Sequence, residues 1–207
     1  MEWNLLKWPI SCIAGISVIA IYCIFTFTSF ALFSSPFSPL THWLSDLGNS
    51  MMNYNPQGAI FYNLGCIFTG IVLFPFFAGL NKWYINENRV KAILVATQIL
   101  GFFSAISLMM IGVFSEEFPQ EHQFWGSIFF ILTLLILILG NFSFLKHPNF
   151  LKPFAYYGFV VAATNLILLI IVFIPLYFPT IEWFTVFSSL SFVGVIVYNT
   201  YKLKFTS

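Results

Sequence analysis

The chain has 207 residues, of which 59% are hydrophobic, 21% aromatic and only 7% charged, with a formal net charge of +1. A soluble domain carries about 25% charged residues, so this chain could not cover its apolar surface in water. That excludes a soluble globular protein, a disordered chain and a nucleic-acid binder with its clustered basic face; what remains is an integral membrane protein whose first partners are membrane lipids.

A bilayer-spanning helix needs about 20 mostly apolar residues, and six runs qualify. The first, 8–33, is too long for the apolar core of a signal peptide, and no A-x-A-like cleavage site follows it. It reads as a retained first helix. The connection 34–58 is the longest in the chain. Within it Ser38 suits a helix N-cap, Pro39 the first helical position and Gly48 the C-terminal cap. On a 3.6-residue period Leu40, Trp43, Leu44 and Leu47 form one face, and His42, Ser45, Asp46 and Asn49 the other. Residues 38–48 are therefore expected to form a short amphipathic helix. It could lie flat in the membrane interface with its apolar face in lipid. Alternatively it folds over the mouth of the bundle, so that His42, Ser45 and Asp46 line a shared polar cavity.

The second run, 59–80, carries Asn63 near its start and Pro75 near its end. The third, 90–114, carries Gln98, and the fourth, 123–145, carries Asn141. The fifth, 153–177, has Thr164 and Asn165 near its middle and Pro175 near its end. The sixth, 181–201, opens on Glu182. Polar groups at membrane depth are costly unless paired, so these are expected to bond between helices, and the two prolines to kink helix ends. In lipid the backbone must satisfy itself, and unbroken apolar runs such as 128–140 exclude the alternating strands of a barrel. The expected fold is all-α: one polytopic transmembrane domain, a six-transmembrane-helix bundle. Cys12, Cys23 and Cys66 lie inside apolar runs and read as small buried hydrophobes.

Charge sets the expected orientation. Lys7, Lys82, Arg89, Lys91, Lys146, Lys152, Lys202 and Lys204 all fall at the N-terminus, in the 2–3 and 4–5 connections, or at the C-terminus. The positive-inside rule puts both termini in the cytoplasm. Asp46, Glu116, Glu117, Glu121 and Glu182 gather on the opposite side, and Trp8, Trp43, Trp83, Trp125 and Trp183 sit near span ends, as an aromatic belt requires.

The outer end collects the residues that could do chemistry: His42, Ser45 and Asp46 after helix 1, Asn55 and Asn63 around the start of helix 2, Glu116, Glu117 and His122 between helices 3 and 4, and Glu182. A His among carboxylates can act as a general base, ligate a metal or join a structural network. Only His42 and His122 are available at this end, and no H-E-x-x-H motif is present, so neither a metal nor a cofactor is called for. Ser45 with His122 is the one pairing for serine chemistry. The same acids could instead cap helices and fix the loops.

The pattern Ser45-Asp46-Leu47-Gly48, Asn55-Pro56-Gln57-Gly58, Asn63 and Gly70, followed by Gly112-Val113-Phe114, an acid at Glu116 or Glu117, His122 and Glu182, resembles the membrane family called domain-of-unknown-function 998. The resemblance covers nearly the whole chain, including the six helices. Ser115 stands where the family pattern has Pro, and Trp183 where it has a basic residue. More distantly the chain is similar to the Frag/DRAM/Sfk type of six-helix protein, and that resemblance implies lipid handling. Three readings follow. The chain is a lipid-handling or structural membrane protein; or it is an intramembrane lipid hydrolase or acyltransferase with Asp46 and His122 as the catalytic acid–base pair; or, less in keeping with spans that show neither inverted repeats nor broken helices, it is a transporter. Its expected place is the plasma membrane of a prokaryote.

Overall fold

The computed structural model describes residues 7–51, 54–174 and 176–205, and among these it is all-helical, with no strand. Its helices are α1 (Ile10–Ala31), α2 (Ala59–Ala78), α3 (Asn88–Val113), α4 (Pro119–Lys146), α5 (Lys152–Phe173) and α6 (Thr180–Phe205). Each belongs to a segment long and apolar enough to cross a membrane.

Where helix ends depart from the apolar runs, the local chemistry explains it. The start of α4 lies at Pro119, four residues before the apolar run, because proline suits the first helical turn and polar Gln120 to His122 extend the helix without adding hydropathy. At its far end α6 continues to Phe205, with Lys202 and Lys204 in the last turn, where cations complement the helix dipole. The last turn of α5 ends at Phe173 rather than at 177. Ile174 precedes a proline, and that position disfavours helical backbone. Pro175 itself, and the kink expected there, lie outside the described residues. Pro75 stands inside α2, which passes at Gly79 into a 3-10 turn, Gly79–Trp83.

Each helix packs on its neighbour in the chain, and α6 closes back on α1, so the six form a ring with both described ends of the chain at one end of the bundle. The loop 32–58 and the α3–α4 and α5–α6 connections lie at the other, called here the loop end. Close approach of α2 and α3 depends on Gly112, where a β-carbon would run into the backbone carbonyl of Asn63. At the terminal end Trp83 is the keystone. It is 1% exposed, packs edge-on against Phe144, His147 and Phe150, and donates its indole N–H to Thr200 Oγ1 at 3.0 Å. The Lys152 ammonium caps α4 by donating to the carbonyls of Leu145 and His147.

The intramembrane polar groups find partners unevenly. Gln98 of α3 donates to the carbonyls of Phe77 and Ala78 at the end of α2, at 2.9 and 3.1 Å, and accepts from the Tyr84 hydroxyl. Asn165 donates to Val161 on its own helix and, at 3.4 Å, to Ser189 of α6. Asn141 departs from expectation: its amide donates to Leu137 on its own helix and packs against Gly158 of α5, so it joins two helices by contact rather than by a hydrogen bond.

Candidate functional site

The loop end is closed by residues 38–50. The expected continuous amphipathic helix over 38–48 is not formed. Ser38 to His42 make a single turn, with Thr41 and His42 donating to the Ser38 carbonyl, and a separate 3-10 turn spans Ser45–Gly48. Side chains cause the break. In a continuous helix the Trp43 and Leu44 N–H groups would bond to the carbonyls of Pro39 and Leu40. Instead Trp43 donates to Asp46 Oδ2 at 2.9 Å, and Leu44 donates to Glu182 Oε2 at 2.7 Å. The freed Pro39 carbonyl accepts from the Thr180 hydroxyl. Leu44 and Leu47 are 0% exposed, so this part of the segment folds onto the bundle mouth, while Leu40 stays 75% exposed.

Clamps from several elements hold it there. Glu182 Oε2 also accepts the Ser45 N–H at 3.4 Å. The Trp183 indole donates to the His42 carbonyl, and the Tyr177 hydroxyl to the Thr41 carbonyl. Asn63 donates to the Gly48 carbonyl at 3.0 Å. Asn55, 0% exposed, donates to Ser29 and to the Leu47 carbonyl and accepts the Gly58 N–H. Asn55 thereby closes the turn that leads into α2: its side chain accepts from Gly58 and its carbonyl from the Ala59 N–H. Glu117 accepts from both the N–H and the hydroxyl of Ser50.

Beneath this cover are two joined cavities. The first, about 150 Å³, runs through the ring interior and is lined by apolar residues of α1, α2, α3, α4 and α6. Glu182 and Ile196, both on its wall, lie fourteen residues apart on α6, which is about 21 Å at ~1.5 Å per residue. The second, about 420 Å³, is a vestibule at the loop end between α4, α5 and the head of α6. Ser45, His122, Gly126, Phe130 and Glu182 line both, so the interior and the vestibule share a junction. Asp46, Glu116, Trp43 and Tyr177 line the vestibule alone.

His122 is held in one orientation. Its Nδ1 lies 2.8 Å from the Phe114 carbonyl. A carbonyl only accepts, so Nδ1 carries a proton and directs Nε2 away from the Phe114 carbonyl. Nε2 lies 3.4 Å from Glu116 Oε1. No hydrogen bond joins Asp46 to His122; Nε2 faces Glu116, and Asp46 lines the same vestibule. Burial and the neighbouring Glu116 charge push the Asp46 carboxyl up to about 6, against the Trp43 N–H and the nearby His42 and His122. Of the two adjacent acids, Glu116 faces the vestibule and Glu117 serves the Ser50 clamp. His42 departs from the polar cluster: its ring stacks on Phe37 at 4.7 Å and meets Phe33 edge-on. Among the described residues no group of three or more His, Cys, Asp or Glu is arranged to hold a metal ion.

The family described as "Protein of unknown function (DUF998)" matches residues 16–198. The chain belongs to this family. No curated protein matches it, and no solved structure does. Within this DUF998 chain the motif residues divide by place. Asn55, Gly58, Asn63 and Gly48 join the cover to α2; a β-carbon on Gly48 would meet the Asn63 amide, and one on Gly58 would meet that of Asn55. Ser45, Asp46, Glu116, His122 and Glu182 line the vestibule. Sequence reasoning missed Trp43 and Tyr177 as a pair, 6.0 Å apart and edge-to-face on the vestibule wall, and it missed Gly126. Gly126 had a readable signal: it stands four residues after His122 and four before Phe130, on one helix face.

Proposed function

We propose that this DUF998 membrane protein binds a membrane amphiphile, with the alkyl chain in the ring interior and the head in the vestibule. One observation carries the reading: an apolar cavity the length of a long alkyl chain shares the wall of Ser45, His122, Gly126, Phe130 and Glu182 with a second cavity where Asp46 and Glu116 also stand. Apolar pockets with a few convergent polar groups are what small amphiphilic ligands occupy. The vestibule rim is itself apolar, with Leu176 and Tyr177 55% and 69% exposed, which favours access from within the bilayer. The lipid associations of the Frag/DRAM/Sfk type point the same way by analogy of fold alone. The charge distribution supports cytoplasmic termini, and hence a vestibule in the outer half of the membrane.

The test is photocrosslinking with a long-chain alcohol that carries a diazirine near the chain end, on protein in detergent micelles. Labels on interior residues such as Leu108, Thr133 and Val193 are the expected result. Labels confined to outward-facing residues such as Ile99 and Phe103, 50% and 57% exposed, would overturn it. A second reading, a lipid hydrolase or acyltransferase, has one observation in its favour: His122 stands beside Glu116 on the wall that the two cavities share, where an acid–base group would meet the head of a bound chain. Replacing His122 with Gln then removes turnover while chain labelling persists; unchanged turnover would exclude it.

A further inference from the structure

We infer that the vestibule selects amphiphiles whose head carries a positive charge, an amine or quaternary ammonium, over those ending in phosphate or carboxylate. The inference rests on the amphiphile reading and names its ligand class. Asp46, Glu116 and Glu182 all line the vestibule, and no Lys or Arg does. Among the described residues the one basic side chain on the wall is His122, 3.4 Å from Glu116.

Glu182 is the strongest element. It is 8% exposed, and both of its hydrogen bonds arrive at Oε2, from Leu44 and Ser45. Neither bond uses Oε1, which is not one of the fully buried unpartnered atoms, and the residue lines both cavities. An ammonium head would donate to this oxygen and bring a charge opposite to that of a carboxylate. On the interior wall the Thr69 hydroxyl, 2% exposed, is a buried polar group without a partner. The Trp43–Tyr177 pair adds aromatic rings to the vestibule wall, and aromatic faces attract cations.

The N-termini of α4 and α6 open at this end and by themselves favour negative charge. The protein already supplies it there, through Glu121 in the first turn of α4 and Glu182 in that of α6. A phosphate head would meet three acidic side chains there, with no Lys or Arg on the wall to offset them.

The experiment uses the full chain in neutral detergent and three competitors with one chain and different heads: hexadecylamine, hexadecanol and hexadecyl phosphate. Each competes against crosslinking by the diazirine alcohol. The amine is expected to displace the probe at a concentration about ten-fold or more below the phosphate, with the alcohol between them, from uncompensated charge at short range. In Glu116→Gln, which alters a partly exposed group outside the loop clamps, that ratio shrinks. Glu182→Gln shrinks it further if the cover survives the change. Equal displacement by all three heads leaves the amphiphile site standing and overturns the charge selectivity, as does preference for the phosphate. Displacement by none of the three, with the probe labelling only the outer surface, overturns the site itself.

Discussion

Individual side chains at the loop end do two different jobs, and substitutions separate them. Asn55 is a clamp. Its amide serves Ser29, Leu47 and Gly58 at once, in a fully buried position. Asn55→Ala strands the Gly58 N–H, while the Leu47 and Ser29 carbonyls keep the Ser29 hydroxyl and the Leu32 N–H. An unpaired buried group costs about 1–3 kcal/mol, and that is the loss expected from thermal unfolding in detergent; a change within about 0.5 kcal/mol would show that Asn55 is not a clamp. Asp46 behaves differently. In the folded protein its carboxyl keeps a proton up to about pH 6, against a usual value of 3.8. Between these limits the folded state binds more protons than the unfolded one, so Asp46 makes stability fall as pH rises from about 4 to about 6. Asp46→Asn retains an acceptor for the Trp43 N–H and removes that titration. Its melting temperature should therefore exceed that of the parent at pH 8, and the gain should fade by pH 4. A gain that is the same at both pH values would contradict the burial argument. The types of these residues were legible in the sequence, but their division was not. Glu116 and Glu117 are adjacent and identical, and only the fold sends one to His122 and the other to Ser50.

Among the elements, α4 carries the clearest sequence record of the interior. His122, Gly126, Phe130, Thr133, Leu137, Gly140 and Phe144 all line the ring cavity, and their spacings of three and four residues put them on one face. Hydropathy located the helix but concealed this stripe, because the opposite face is equally apolar and meets lipid. Glycines on two helices give a contrast. At Gly112 a side chain collides with α2, whereas a β-carbon at Gly126 meets nothing within 4 Å. Gly112→Leu is expected to cost about 1–3 kcal/mol or more through overpacking. Gly126→Ala is expected to be neutral or to stabilise by up to about 1 kcal/mol through helix propensity. Equal effects at the two positions, in parallel thermal melts, would contradict the close α2–α3 crossing. The segment 38–48 is the element that was misread. Its local punctuation and periodicity favour a helix, yet Glu182, far away in sequence, takes the Leu44 N–H and divides it. A carboxylate 138 positions on leaves no trace in a local pattern.

For the molecule as a whole, six helices close into a ring around an enclosed apolar space. Six spans were legible because a bilayer demands about 20 apolar residues of each. Ring closure was not, since lipid-facing and interior-facing side chains are alike in hydropathy. Orientation is testable directly. With cysteine-free protein in intact cells, Lys204→Cys should resist an impermeant maleimide and Ser50→Cys should react; the reverse pattern would invert the topology. The central claim, that the ring holds an amphiphile, is tested most directly by native mass spectrometry of protein extracted from its membranes, alongside Gly126→Phe, which fills the junction of the two cavities. One amphiphile-sized adduct on the parent, absent from a Gly126→Phe protein of unchanged helix content, is the result expected. Equal occupancy of both proteins, or no adduct on either, would contradict it.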